Sequence, residues 1–147
     1  MKTSMLCAVA LAIPTLAPNL ALSETTVVPT AELPHQMAYD VAKLTPLALS
    51  AEGTPAVIQL SVANGVEVPP HATESGFRLI TVISGDLYWG DGETADAASE
   101  TVYGPGSVLM LPAGAPHWLA ARNGDLVLQL VVLDDEVPVP AIMEVMQ

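Results

Sequence analysis

His71 and His117, two of the chain's three histidines, stand in matching local settings. His71 ends the stretch NGVEVPPH, where an Asn-Gly turn at Asn64-Gly65 leads through a Pro-Pro pair to the imidazole. His117 ends GSVLMLPAGAPH, in which Gly106 opens an apolar run and Pro112-Ala113-Gly114 turns the chain before the ring. Paired imidazoles can ligate a divalent metal, act as a base, or hydrogen-bond an organic ligand.

Thr73, Glu74 and Arg78 follow His71 closely. Residues 71 and 73 lie two apart, so on a strand they share one face. Two histidines and a carboxylate form a known facial set for non-haem iron. Glu74 is the nearest carboxylate for that role, with Glu67 a weaker candidate. Arg78 opposes the metal reading, because a permanent cation repels a divalent ion. Its planar fork instead fits the carboxylate of a small acid, or an internal ion pair with Glu74. His35 lies outside both stretches and is read as a surface residue. Phe77, Tyr88, Trp89 and Trp118 are read as packing residues of a core or pocket mouth. Trp118 should face the opposite side of its strand from His117.

Short β-branched and apolar runs separated by Gly, Pro and Asn must position these residues. Strands are predicted at residues 35–39, 45–50, 55–63, 77–83, 86–89, 101–103, 107–111, 117–121 and 126–133. Ser84-Gly85 reads as the turn of a hairpin joining 77–83 to 86–89, and the acidic stretch 90–100 as a loop projecting into solvent. No long helical period appears before residue 134, so the chain is expected to be all-β.

The full sequence has 147 residues and carries a net charge of −12. Residues 1–23 read as a cleaved signal peptide: Lys2 precedes an apolar run interrupted by Pro14 and Pro18, and Ala21 and Ser23 suit signal peptidase. The run is shorter than the roughly 20 apolar residues that span a bilayer. Cleavage would remove Cys7, the chain's one cysteine. A periplasmic or secreted domain held by its hydrophobic core without disulfides is expected. That acidic surface argues against nucleic acid and anionic membranes, which are bound through clustered Lys and Arg.

The two histidine stretches resemble the two motifs of the cupins. Gly65, His71 and Gly85 keep the spacing of the first motif, and Gly106, Pro112, Gly114 and His117 match the second, with Ala121 in place of its Asn. The resemblance covers residues 40–133 and implies a jelly-roll β-barrel of antiparallel strands, flanked by an extended arm at 24–39 and a tail at 134–147. In metal-binding relatives the motifs supply two histidines, a glutamate and a later histidine. Here Thr73 stands at the second histidine position and Arg78 at the glutamate position.

What the resemblance implies is therefore a small-molecule pocket formed by His71, Thr73, Arg78 and His117, with an incomplete ligand set for iron, manganese, nickel or zinc and no tightly bound metal. One alternative is a metal-dependent dioxygenase or isomerase using His71, His117 and Glu74. Another, without metal, uses a histidine base with Arg78 steadying an enolate-like oxygen. The remaining reading is a structural or sensory partner protein. A homodimer is compatible with all of these.

Overall fold

A computed structural model of the chain describes residues 24–133. Residues 1–23, expected to be a signal peptide, and residues 134–147, expected to be a tail, lie outside the described residues. Ten strands are present: β1 Gln36–Ala38, β2 Ala42–Leu49, β3 Pro55–Val62, β4 Glu67–His71, β5 Phe77–Ser84, β6 Leu87–Asp91, β7 Thr101–Tyr103, β8 Val108–Pro112, β9 His117–Ala120 and β10 Leu126–Leu133. They form a six-stranded sheet in the order β1-β2-β3-β10-β5-β8 and a four-stranded sheet in the order β4-β9-β6-β7. All pairings are antiparallel. The result is a jelly roll, two sheets enclosing one core.

Alternation along the strands builds that core, because successive side chains point to opposite faces. Ile58, Leu60 and Val62 of β3, Ile80 and Val82 of β5, and Leu126 and Leu128 of β10 are buried. Leu87 and Trp89 of β6, with Val68 of β4 and Leu119 of β9, are buried in the opposing sheet. The residues between them on β3, Val57, Gln59 and Ser61, are only half-buried.

The structure corrects four local expectations. First, Ser84-Gly85 is not a hairpin turn: β5 pairs with β10 and β8, whereas β6 pairs with β9 and β7. The chain crosses between sheets there. Gly85 is required at that corner, with φ +82° and the backbone of Asp125 where a Cβ would stand. Second, Glu67–His71 is a strand despite Pro69 and Pro70. It is an edge strand paired only with β9, and the register slips between Val68 and His71. Prolines that cannot donate to a ladder are tolerated at such an edge bulge. Third, the strand expected at residues 35–39 is shorter, Gln36–Ala38, with Tyr39 in the turn that follows, and it joins the six-stranded sheet through β2.

The fourth correction concerns the end of the 90–100 stretch: residues 93–99 are mostly exposed as expected, but Glu100 folds back onto the sheet. A 3₁₀ turn at Ala97–Ser99, capped by Asp96, brings Glu100 over β9. The Glu100 side chain is 3% exposed and meets the guanidinium of Arg122, and its Oε1 accepts from Trp118 Nε1 at 3.1 Å. Arg122 also bonds Glu67 at 2.8 Å, so one arginine ties β4 to the loop. This contact holds the Glu100 carboxyl below the usual carboxylate range. Trp118 is 1% exposed, unlike a residue on an open sheet face. Its ring lies over Gly90, its register partner on β6, and leaves no room there for a Cβ.

Gly90→Ala should therefore lower the unfolding free energy by about 1–3 kcal/mol, as overpacking does. Urea denaturation measures the loss, and Gly90→Ala combined with Trp118→Leu should recover part of it. An unchanged midpoint in the single variant would contradict the packing described.

Candidate functional site

The site is built where β4 meets β9. His71 and His117 are direct register partners on these strands, so the antiparallel pairing itself sets the two imidazoles side by side. Their ring centroids are 4.2 Å apart. Trp89 of β6 stacks on His117 at 4.7 Å with 9° between the planes. On the other side, Tyr39 lies 4.6 Å from His71. Tyr39 and Asp40 form the turn between β1 and β2, with φ of 53° and 60°. Positive φ is uncommon for so bulky a residue. Here it puts a ring from the six-stranded sheet against the histidines of the other sheet.

Both imidazoles are oriented by the backbone. His71 Nδ1 lies 2.8 Å from Pro69 O, and His117 Nδ1 lies 2.9 Å from Ala115 O. A carbonyl oxygen only accepts, so each Nδ1 carries a proton, and in the neutral form of either ring Nε2 is a hydrogen-bond acceptor. His117 is 2% exposed. Burial pushes its pKa below the ordinary histidine value and the nearby His71 adds to this, while the Ala115 carbonyl and Asp91 act in the opposite direction.

These rings line a cavity of about 400 Å³ between the sheets. Its walls are mainly hydrocarbon, including Leu44, Ile58, Leu60, Val68, Ile80 and Leu130. Thr73 and Arg78 line it as well. Thr73 Oγ1 is buried without a hydrogen-bond partner among the described residues. The Thr73 carbonyl accepts from Gly114 N at 2.9 Å, clipping the turn of the second motif onto the first. Arg78 lies near the start of β5, between β10 and the edge strand β8 of the six-stranded sheet. Its Nη1 donates to Phe77 O at 3.3 Å, and it also lines an adjoining depression with Thr54, Ser75 and Val132.

Four residues expected at the site are thus brought to one cavity: His71, Thr73, Arg78 and His117. Glu74 is not among them. It is exposed and does not line the cavity, so it supplies no third ligand. Glu67 is committed to Arg122 at 2.8 Å. The expected Arg78–Glu74 pair is not formed either; among the described residues the ion pairs are those of Arg122 with Glu67 and Glu100. No group of three His, Cys, Asp or Glu side chains there could hold a metal ion. Two imidazoles, a threonine hydroxyl and a guanidinium do not fit a resident divalent cation, because the hydroxyl is a poor ligand and the guanidinium repels it. His35 is exposed, as the sequence suggests. Tyr39 was assigned to the arm and is instead part of the pocket wall. No local sequence signal marks it, because its place depends on the pairing of β1 with β2.

No family model and no curated protein matches the sequence. Solved structures do. A protein from Thermotoga maritima described as a predicted oxalate decarboxylase superposes with a TM-score of 0.59 at 18% identity, over 75% of this chain and 100% of its own. A polyketide cyclase from Streptomyces resistomycificus gives 0.59 at 15% identity, over 78% of this chain and 83% of its own. A cupin superfamily protein from Desulfitobacterium hafniense gives 0.53 at 20% identity, over 76% and 93%. The jelly roll is of cupin type.

The burial of His117 sets a pH dependence. Unfolded, its imidazole takes up a proton near pH 6.5; folded, it resists until lower pH. The unfolded state therefore binds more protons between the two pKa values, and stability is lost as pH falls through that window. Denaturant titrations from pH 7.5 to 5 should show the decline, and His117→Gln should flatten it. An equal slope in the variant would remove His117 from the account.

Proposed function

We propose that this cupin-fold chain is an exported binding protein that takes a small organic molecule into its barrel without a resident metal. The observation that carries this reading is the convergence of polar atoms on an otherwise hydrocarbon cavity. His71, Thr73, Arg78 and His117 all line one cavity of about 400 Å³. Ligand pockets have this character, mostly apolar with a few fixed polar groups, and volumes of roughly 300–1,000 Å³.

The buried Thr73 hydroxyl supports the same reading from energetics. A buried hydroxyl with no partner costs about 1–3 kcal/mol, and a ligand atom would repay that cost. The backbone-held imidazoles add rigidity, since neither ring must reorient to accept a hydrogen bond. Preorganised groups of this sort raise affinity by lowering the ordering cost of binding.

Protein purified without chelator should hold iron, manganese, nickel and zinc at well under one ion per chain by elemental analysis. A stoichiometric content of any of them would sink the metal-free reading.

Export rests on the leader residues 1–23. N-terminal sequencing of protein recovered from the periplasm or medium should begin at Glu24, and recovery of the uncleaved chain from cytosol alone would refute it.

A further inference from the structure

We infer that the molecule bound in the barrel is an amphiphilic hydroxy acid, its carboxylate held by Arg78 and its hydroxyl donated to an Nε2 of the His71–His117 pair. The inference rests on the pocket reading above and narrows it to a ligand class.

The acid end follows from Arg78. Its Nη1 donates over 3.3 Å to the carbonyl of its neighbour Phe77, and among the described residues no carboxylate pairs with it. Arg122, by contrast, is matched by two. Among the described residues this half-buried guanidinium on an apolar wall meets no counter-charge that would repay its desolvation. A carboxylate suits its planar fork in a bidentate arrangement.

The hydroxyl end follows from the tautomers. With both Nδ1 atoms bonded to carbonyls, the ring edges left for a ligand are acceptors. They repel a carboxylate and attract an O–H. Thr73 Oγ1, which can donate or accept, would complete the bonds of that hydroxyl.

The hydrocarbon walls between these groups fit an alkyl body, and they also limit the charge. A phosphate would bring close to two negative charges into a cavity with one cation and two acceptor rings. The net charge of −12 disfavours dianions further. For a monoanion, salt screens that repulsion beyond about 8 Å at physiological ionic strength, so the local pairing with Arg78 decides.

The test is calorimetric titration of the purified mature chain with ω-hydroxy acids from hydroxybutyrate to hydroxydecanoate, their methyl esters, the plain alkanoic acids and octanol. At the best chain length the hydroxy acid should bind at least about tenfold tighter than its ester and than the plain acid. Arg78→Gln should erase the preference for acid over ester and leave octanol within about twofold. Thr73→Val should weaken the hydroxy acid relative to the plain acid while raising the melting temperature of the unliganded protein. Equal affinity for acid and ester in the unsubstituted protein, or a preference that survives Arg78→Gln, overturns the inference. Octanol bound without any discrimination overturns it too but leaves the pocket reading standing; binding of none of the probes overturns both.

Discussion

The site depends on the register of one strand pair. β4 lies at the edge of the four-stranded sheet and has only β9 as a neighbour, and its Pro69 and Pro70 donate no hydrogen bonds to the ladder. A bulge absorbs them, and the register resumes with His71 opposite His117. A strand slip of one residue would turn either ring to the other face. Three contacts outside the ladder hold the pairing. Arg122 binds Glu67 at the start of β4, Gly114 N binds the Thr73 carbonyl beyond its end, and the Pro69 carbonyl holds the His71 ring itself.

The outer face of the same sheet explains why that pairing can be rigid in a domain whose described part has no disulfide. Trp118 is buried under the returning loop through Gly90, Glu100 and Arg122. Each of the four residues of β9 is buried, so β9 is packed on both faces and behaves as a central strand. The histidine on its inner face is thereby backed by a tryptophan on its outer face. Core packing and site geometry share one strand.

Much of this was legible in the sequence wherever one residue type answers one local need. Gly65, Gly106, Gly114 and the prolines around them mark turns because their backbone freedom or restriction is intrinsic, and the two histidines beside them are register partners. β-branched and apolar runs revealed β3, β5 and β10. Sequence reading failed where a local pattern has two tertiary outcomes. Ser84-Gly85 suits a hairpin and a sheet-to-sheet corner equally, and only the approach of Asp125 selects the second. Tyr39 reaches the pocket through a hairpin whose turn residues carry no strong signature. Glu100 resembles any loop acid until Trp118 and Arg122 are brought beneath it.

The contrast between the two arginines shows how the cavity's chemistry differs from a metal centre on the same framework. Arg122 is surrounded by carboxylates and ends as part of the scaffold, with its protonated form strongly favoured. Arg78 stands where the family motif carries a glutamate, so the formal charge at that wall changes from −1 to +1, as those side chains ionise at neutral pH. The sign of the charge at that wall is reversed with no change in backbone spacing. His117 adapts to the same reversal: its burial keeps it neutral near pH 7, so it adds no second positive charge beside Arg78 and stays an acceptor. Set within hydrocarbon, the cavity's polar lining is one arginine, two imidazoles and a threonine whose hydroxyl has no partner among the described residues.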